Sequence, residues 1–166
     1  MRAGIMSVIL VLSAPVAAKQ VEAEIGVGAV TGLMVGNVAD GTLWMGSTLK
    51  LRADWAAFIE EDRSKRYRLG IEVPINERVA LGLRPGLDFP IMIVGQPMTV
   101  GLGLRSFVTP YTLHGFEAQV AWVPKLLGVI HLNLGGSMTA FFFGNDLPSE
   151  GALVEFQGLA GVRIPL

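Results

Sequence analysis

RYRLGIEVPI, residues 66–75, alternates for most of its length: Arg66, Arg68 and Glu72 stand on one parity, and Tyr67, Leu69, Ile71, Val73 and Ile75 on the other. Successive side chains of a β-strand point to opposite faces, so a period of two marks a strand between two unlike surroundings. The pattern continues on both sides. LKLRADW (49–55) sets Lys50, Arg52 and Asp54 against Leu49, Leu51, Ala53 and Trp55. RVALGLRPGLDF (78–89) sets Arg78, Arg84 and Asp88 against Val79, Leu81, Leu83, Leu87 and Phe89.

Worked outward, this reading predicts eight strands with cores at 21–31, 42–55, 66–75, 78–89, 99–108, 116–123, 129–142 and 153–166. Turn-forming stretches separate them: GNVADG (36–41), the charge run EEDRSK (60–65), Asn76-Glu77, Gly95-Gln96-Pro97, Thr109–Gly115, Pro124–Gly128 and GNDLPSEG (144–151). His114 falls in one of these loops. Connections this short predict an antiparallel meander, since parallel strands need long crossovers. No break in composition divides the chain, so one domain is expected over residues 19–166.

One face carries Glu22, Glu24, Lys50, Arg52, Asp54, Arg66, Arg68, Glu72, Arg78, Arg84, Asp88, Arg105, Glu117, Glu155 and Arg163, eight cations and seven anions; the opposite face carries no charge. His131 and Asn133 share the charged face on strand seven, and Glu155 and Gln157 on strand eight. A His131–Glu155 pair has the composition of a general acid–base couple, but no Ser stands two residues from His131, and a polar interior contact is the simpler reading.

The 166 residues are 51% hydrophobic and 16% charged, yet no run approaches the roughly 18 apolar residues of a membrane-spanning helix. The formal net charge of −1 speaks against nucleic-acid partners. The absence of cysteine excludes disulfides, a lipid-bearing cysteine and thiolate metal sites, and two histidines make no convincing metal site. No cofactor or metal is expected. Residues 1–18 read as a cleavable signal peptide: Arg2, then an apolar Ile5–Leu12 segment, then small Val16 and Ala18 before Lys19.

Segregated faces also occur in soluble β-sandwiches. Three features point instead to lipid around the uncharged face. Its aromatics, Trp55, Tyr67, Phe89, Phe116, Trp122, Phe142 and Phe156, lie near strand ends and form two girdles about an aliphatic belt. Phe141–Phe143 is read as girdle and loop base. The charged face is rich in glycine, which leaves room for long side chains inside a narrow barrel. The chain ends within its last strand as GVRIPL, with Gly161, Ile164 and Leu166 in a Gly-x-x-apolar-x-apolar pattern.

On these features residues 19–166 resemble a small eight-stranded outer-membrane β-barrel of the OmpA/OmpX type. The resemblance implies an all-β, antiparallel up-and-down transmembrane barrel in the outer membrane of a Gram-negative bacterium. It implies that Gly161, Ile164 and Leu166 form a C-terminal assembly signal, although that signal usually ends in Phe and this chain ends in Leu. The implied partners are outer-membrane lipid, the outer-membrane assembly machinery and a loop-mediated protein partner. Eight strands enclose a space that side chains just fill. The near balance of charge predicts a salt-bridged, closed lumen with a structural or surface-interaction role and no enzymatic activity. The alternatives are a narrow channel or lateral transporter for small or apolar molecules, a lipid-modifying enzyme, and a soluble periplasmic β-sandwich or lipocalin-like carrier.

Overall fold

The computed structural model describes residues 20–35, 43–58, 63–75, 80–109, 112–145, 147 and 152–166. The signal-peptide segment 1–18, all of GNVADG, residues 60–62 of EEDRSK, the Asn76-Glu77 turn, Arg78, and residues 146 and 148–151 of GNDLPSEG lie outside them. The strands are β1 (Gln20–Val35), β2 (Leu43–Phe58), β3 (Arg66–Ile75), β4 (Leu81–Ile93), β5 (Gln96–Thr109), β6 (Leu113–Trp122), β7 (Lys125–Leu127), β8 (Ile130–Gly144) and β9 (Ala152–Pro165).

β1 to β6 pair antiparallel in chain order, β6 pairs with β8, β8 with β9, and β9 returns to β1. The sheet is therefore a closed barrel of eight wall strands. The three-residue β7 is a spur folded back on the start of β8, with Lys125 opposite His131. Closure gives every wall strand a partner on both sides within the barrel, which is the condition for a β-structure to cross lipid. The first and last strands run in register from Glu22 opposite Pro165 to Val35 opposite Ala152. The Leu166 N–H adds a bond to the Val21 carbonyl at 2.8 Å. An even number of wall strands places the start of β1 and the end of β9 at one end, the terminal end, together with the β2–β3, β4–β5 and β6–β8 connections.

The predicted eight-strand meander holds, with differences at several strand ends and with β7 inside the predicted Pro124–Gly128 turn. β4 and β5 continue beyond the predicted ends at Phe89 and Thr99 to a two-residue turn at Val94-Gly95. Pro90 does not stop β4 because the β3 ladder ends at Arg66 opposite Asp88, so no neighbour there needs the missing N–H. β6 begins three residues earlier than predicted, so His114 is an exposed strand residue opposite Ser106 and not a loop residue.

The faces are sharply divided. Arg66, Arg84, Arg105, Glu72 and Asp88 are completely enclosed, while Ile25, Leu49, Leu102 and Phe116 are each more than half exposed on the outer wall. This inverts a water-soluble fold, where burying so many ions while exposing aliphatics would cost heavily on both counts.

Candidate functional site: a charge-filled interior

The alternation that makes the strands also aims the charges, because inward positions recur at every second residue. Glycine opposite several of the long side chains supplies space, as Gly70 does opposite Asp54 and Arg84 and Gly86 opposite Arg68. A side chain at Gly70 would strike the Asp54 carboxylate, and one at Gly86 would meet the Arg68 guanidinium at 2.6 Å.

Nearest the terminal end, Arg66 donates to Glu22 at 2.8 Å and to Asp88 at 2.6 Å. Arg163 donates to Glu24 at 3.2 Å, and the Asn133 amide donates to the same carboxylate. His131 lies opposite Arg163 in the β8–β9 register. At mid-barrel, Arg52 donates to Asp54, and its other end reaches the Gln119 carbonyl at 3.1 Å. Gln119 passes the contact on, its amide donating to Asp88 at 2.9 Å. Arg84 reaches Asp54 at 3.4 Å and Glu117, which also accepts from Arg68 at 3.4 Å. Towards the far end Arg105 pairs with Glu72 and, at 2.9 Å, with Glu155; Lys50 also donates to Glu155, at 2.8 Å.

The paired groups among the described residues are seven cations (Lys50, Arg52, Arg66, Arg68, Arg84, Arg105, Arg163) and seven anions (Glu22, Glu24, Asp54, Glu72, Asp88, Glu117, Glu155). The interior is thus neutral over the described residues. Neutrality matters because an uncompensated ion in such a space costs several kcal/mol.

Beyond Arg105 the interior turns apolar. Phe107, Phe141, Leu113, Leu153 and Ala80 form a buried cluster, with Leu147 packed against it. The Phe107 and Phe141 rings are tilted with centroids 5.9 Å apart. Lys50 lies 5.0 Å from the Phe107 centroid, and Arg105 lies 5.6 Å from that of Phe141. The cations beneath the cap therefore face aromatic π-surfaces as well as carboxylates. Sequence reasoning missed this cap. Phe141 stands inside, fully buried, and not in a girdle or loop base. Its parity with Asn133 and Thr139 is the signal in the sequence, masked by its place in the Phe141–Phe143 run. Gln119 and Thr139 were also missed, although they share the inward parity of Glu117 and Asn133. Thr139 accepts from Arg105 at 3.0 Å.

The structure separates His131 from Glu155. In the β8–β9 register His131 faces Arg163, whereas Glu155 faces Thr139, eight positions along β8. At about 3.3 Å per residue that is roughly 26 Å, so no acid–base couple forms. Among the described residues no group of three or more His, Cys, Asp or Glu side chains is placed to hold a metal ion.

On the outer wall, Trp55, Tyr67, Phe89 and Trp122 lie towards the terminal end, and Phe116, Phe142 and Phe156 lie towards the far end. Phe116 and Phe142 touch with ring centroids 6.4 Å apart. Gly161 stands inward opposite Gly26, Ile164 outward opposite Ala23, and Leu166 is exposed at the chain end.

An apolar outer wall, an ionic interior and a closed antiparallel sheet together define a membrane-embedded β-barrel. The fold is that of small outer-membrane barrels. The crystal structure of Neisserial surface protein A superposes with a TM-score of 0.57 at 12% identity, covering 86% of this chain and 96% of that one. The solid-state NMR structure of outer membrane protein AlkL in lipid bilayers superposes with a TM-score of 0.53 at 13% identity, covering 89% and 90%. No protein-family profile and no curated protein sequence matches the chain.

Proposed function

We propose that the protein is an integral outer-membrane protein of a Gram-negative bacterium whose interior is closed, and that it braces the membrane or presents its loops to a partner. Outer-membrane lipid surrounds it, and the outer-membrane assembly machinery inserts it. The observation that carries this reading is the bridging of strands that are not neighbours. Arg84 on β4 meets Glu117 on β6, and Arg66 on β3 meets Glu22 on β1. Such pairs span the lumen where a pore would need water, and the Phe107–Phe141 cap stands beyond them.

The test is conductance. Purified protein reconstituted in planar bilayers should give little or no steady current. Reproducible large single-channel steps would overturn the closed-interior reading and favour a transporter for small molecules.

A further inference from the structure

The rim at the terminal end is lopsided. On the β2–β3 side the sequence is EEDRSK (60–65), and Arg63 and Ser64 are exposed. On the other side two hairpins stand past the aromatic girdle. The β4–β5 hairpin runs through residues 89–104 without a single charge, and the β7–β8 hairpin carries only Lys125 between residues 118 and 130. They lie side by side, with Trp122 opposite Met98 and the Val123 N–H bonded to the Pro97 carbonyl at 2.8 Å. Their tips are apolar and open: Met92 is 68% exposed, Val94 95%, Leu127 74% and Val129 62%.

Val94 sharpens the point. Its φ is 50° and that of Gly95 is 74°, the paired positive φ of a tight hairpin turn. Gly, Asn or Asp takes the first of these positions without strain, whereas a β-branched residue there is an outlier. An apolar side chain thus occupies the most exposed point of the hairpin despite the backbone it must adopt.

We propose that these two hairpins are immersed in the membrane leaflet at the terminal end, so that the barrel sits tilted in the bilayer with its β4–β8 side deeper than its β1–β3 side. The occupant of the surface is lipid because the surface is continuous with the lipid-facing wall. The outward row Leu87, Phe89, Ile91 and Ile93 runs along β4 to the tip without a polar interruption. From Phe89 to Val94 is five residues, roughly 12 Å of extra apolar height once a strand tilt near 40° is included. On the opposite side the wall ends at Trp55 and Tyr67, and Arg63 and Ser64 follow within a few residues. An apolar band oblique to the barrel axis is satisfied by tilting the barrel. Lys125 suits the same surface, since its long stem lets the ammonium reach phosphate while the carbons stay in lipid.

The chain has no cysteine, so single labels are unambiguous. Val94→Cys, Leu127→Cys, mid-belt Leu102→Cys and rim Ser64→Cys would each carry one environment-sensitive fluorophore. Each would be folded into dioleoyl phosphatidylcholine vesicles with nitroxide-labelled acyl chains, and folding checked by heat-modifiability. The labels at 94 and 127 should be quenched by the nitroxide lipid as the label at 102 is, and should be several-fold less accessible to aqueous iodide than the label at 64. Iodide quenching at 94 and 127 equal to that at 64 would overturn the proposal. So would shielding from both quenchers with self-quenching that grows with protein density, which assigns the surface to a second copy of the chain. Loss of lipid quenching at 102 as well would overturn membrane embedding altogether, a separate failure.

Discussion

Arg84 and Glu117 meet at hydrogen-bond distance with neither side chain exposed, although β5 lies between their strands. Arg84 also faces Asp54, and Glu117 also accepts from Arg68, so the pair joins β2, β3, β4 and β6 across the lumen. Removing one member would strand the others in a space that cannot hydrate them.

Glu117→Ala should therefore destabilise the folded barrel by about 3–5 kcal/mol. Replacing Arg84 and Glu117 together by Met and Leu should cost less than Glu117→Ala alone, because no ion of that pair is orphaned. Denaturant unfolding in lipid vesicles measures both. A double variant weaker than the single one would show that the pair contributes more than mutual neutralisation.

The outer wall makes the opposite demand. Leu102 is 58% exposed at mid-belt. Leu102→Arg should destabilise the inserted barrel by about 2–4 kcal/mol, and Leu132→Arg, also on the wall, by a similar amount. Unfolding titrations in bilayers would read this directly, and an unchanged midpoint would argue that this face does not meet hydrocarbon.

Phe141 is fully buried, with the Arg105 guanidinium 5.6 Å from its ring centroid and the Phe107 ring centroid 5.9 Å away. Phe141→Ala should cost about 3–5 kcal/mol as a large-to-small change at a packed site. Phe142→Ala, on the lipid side of the same strand, should cost clearly less. Equal losses for the two would mean that the inward and outward phenylalanines are not distinguished by packing.

At the chain end, Ile164 pairs with Ala23 and Leu166 bonds to Val21. Deleting Ile164–Leu166 should leave unassembled, protease-sensitive protein, since it removes closing bonds along with the signal that the resemblance implies. Leu166→Phe keeps those bonds and should assemble at least as well as the parent in cells. Markedly poorer assembly of that variant would show that the C-terminus does not act as the resemblance implies.

Much of this architecture was legible before any coordinate. Parity assigns Arg66, Arg68 and Glu72 to one face and Tyr67, Leu69 and Ile71 to the other, because a strand allows no other arrangement of adjacent side chains. Short connections exclude crossovers, so the neighbour order follows as well. What parity cannot express is which inward residue meets which. Glu117 reaches Arg84 and Arg68, and Glu155 reaches Arg105 and not His131, because pairing across a barrel depends on the stagger of every strand between them. Closure also decided which face is concave, since alternation alone suits a lipocalin-like carrier equally well. Parity already sets Phe107 with Arg105 and Phe141 with Thr139, and closure made that face the interior, while the early end of the β3 ladder freed Pro90 and let the β4–β5 hairpin run on past the girdle. Periodicity is local and sits in the sequence. Stagger, curvature and the height of the wall are sums over all eight wall strands, and only the closed sheet performs that sum.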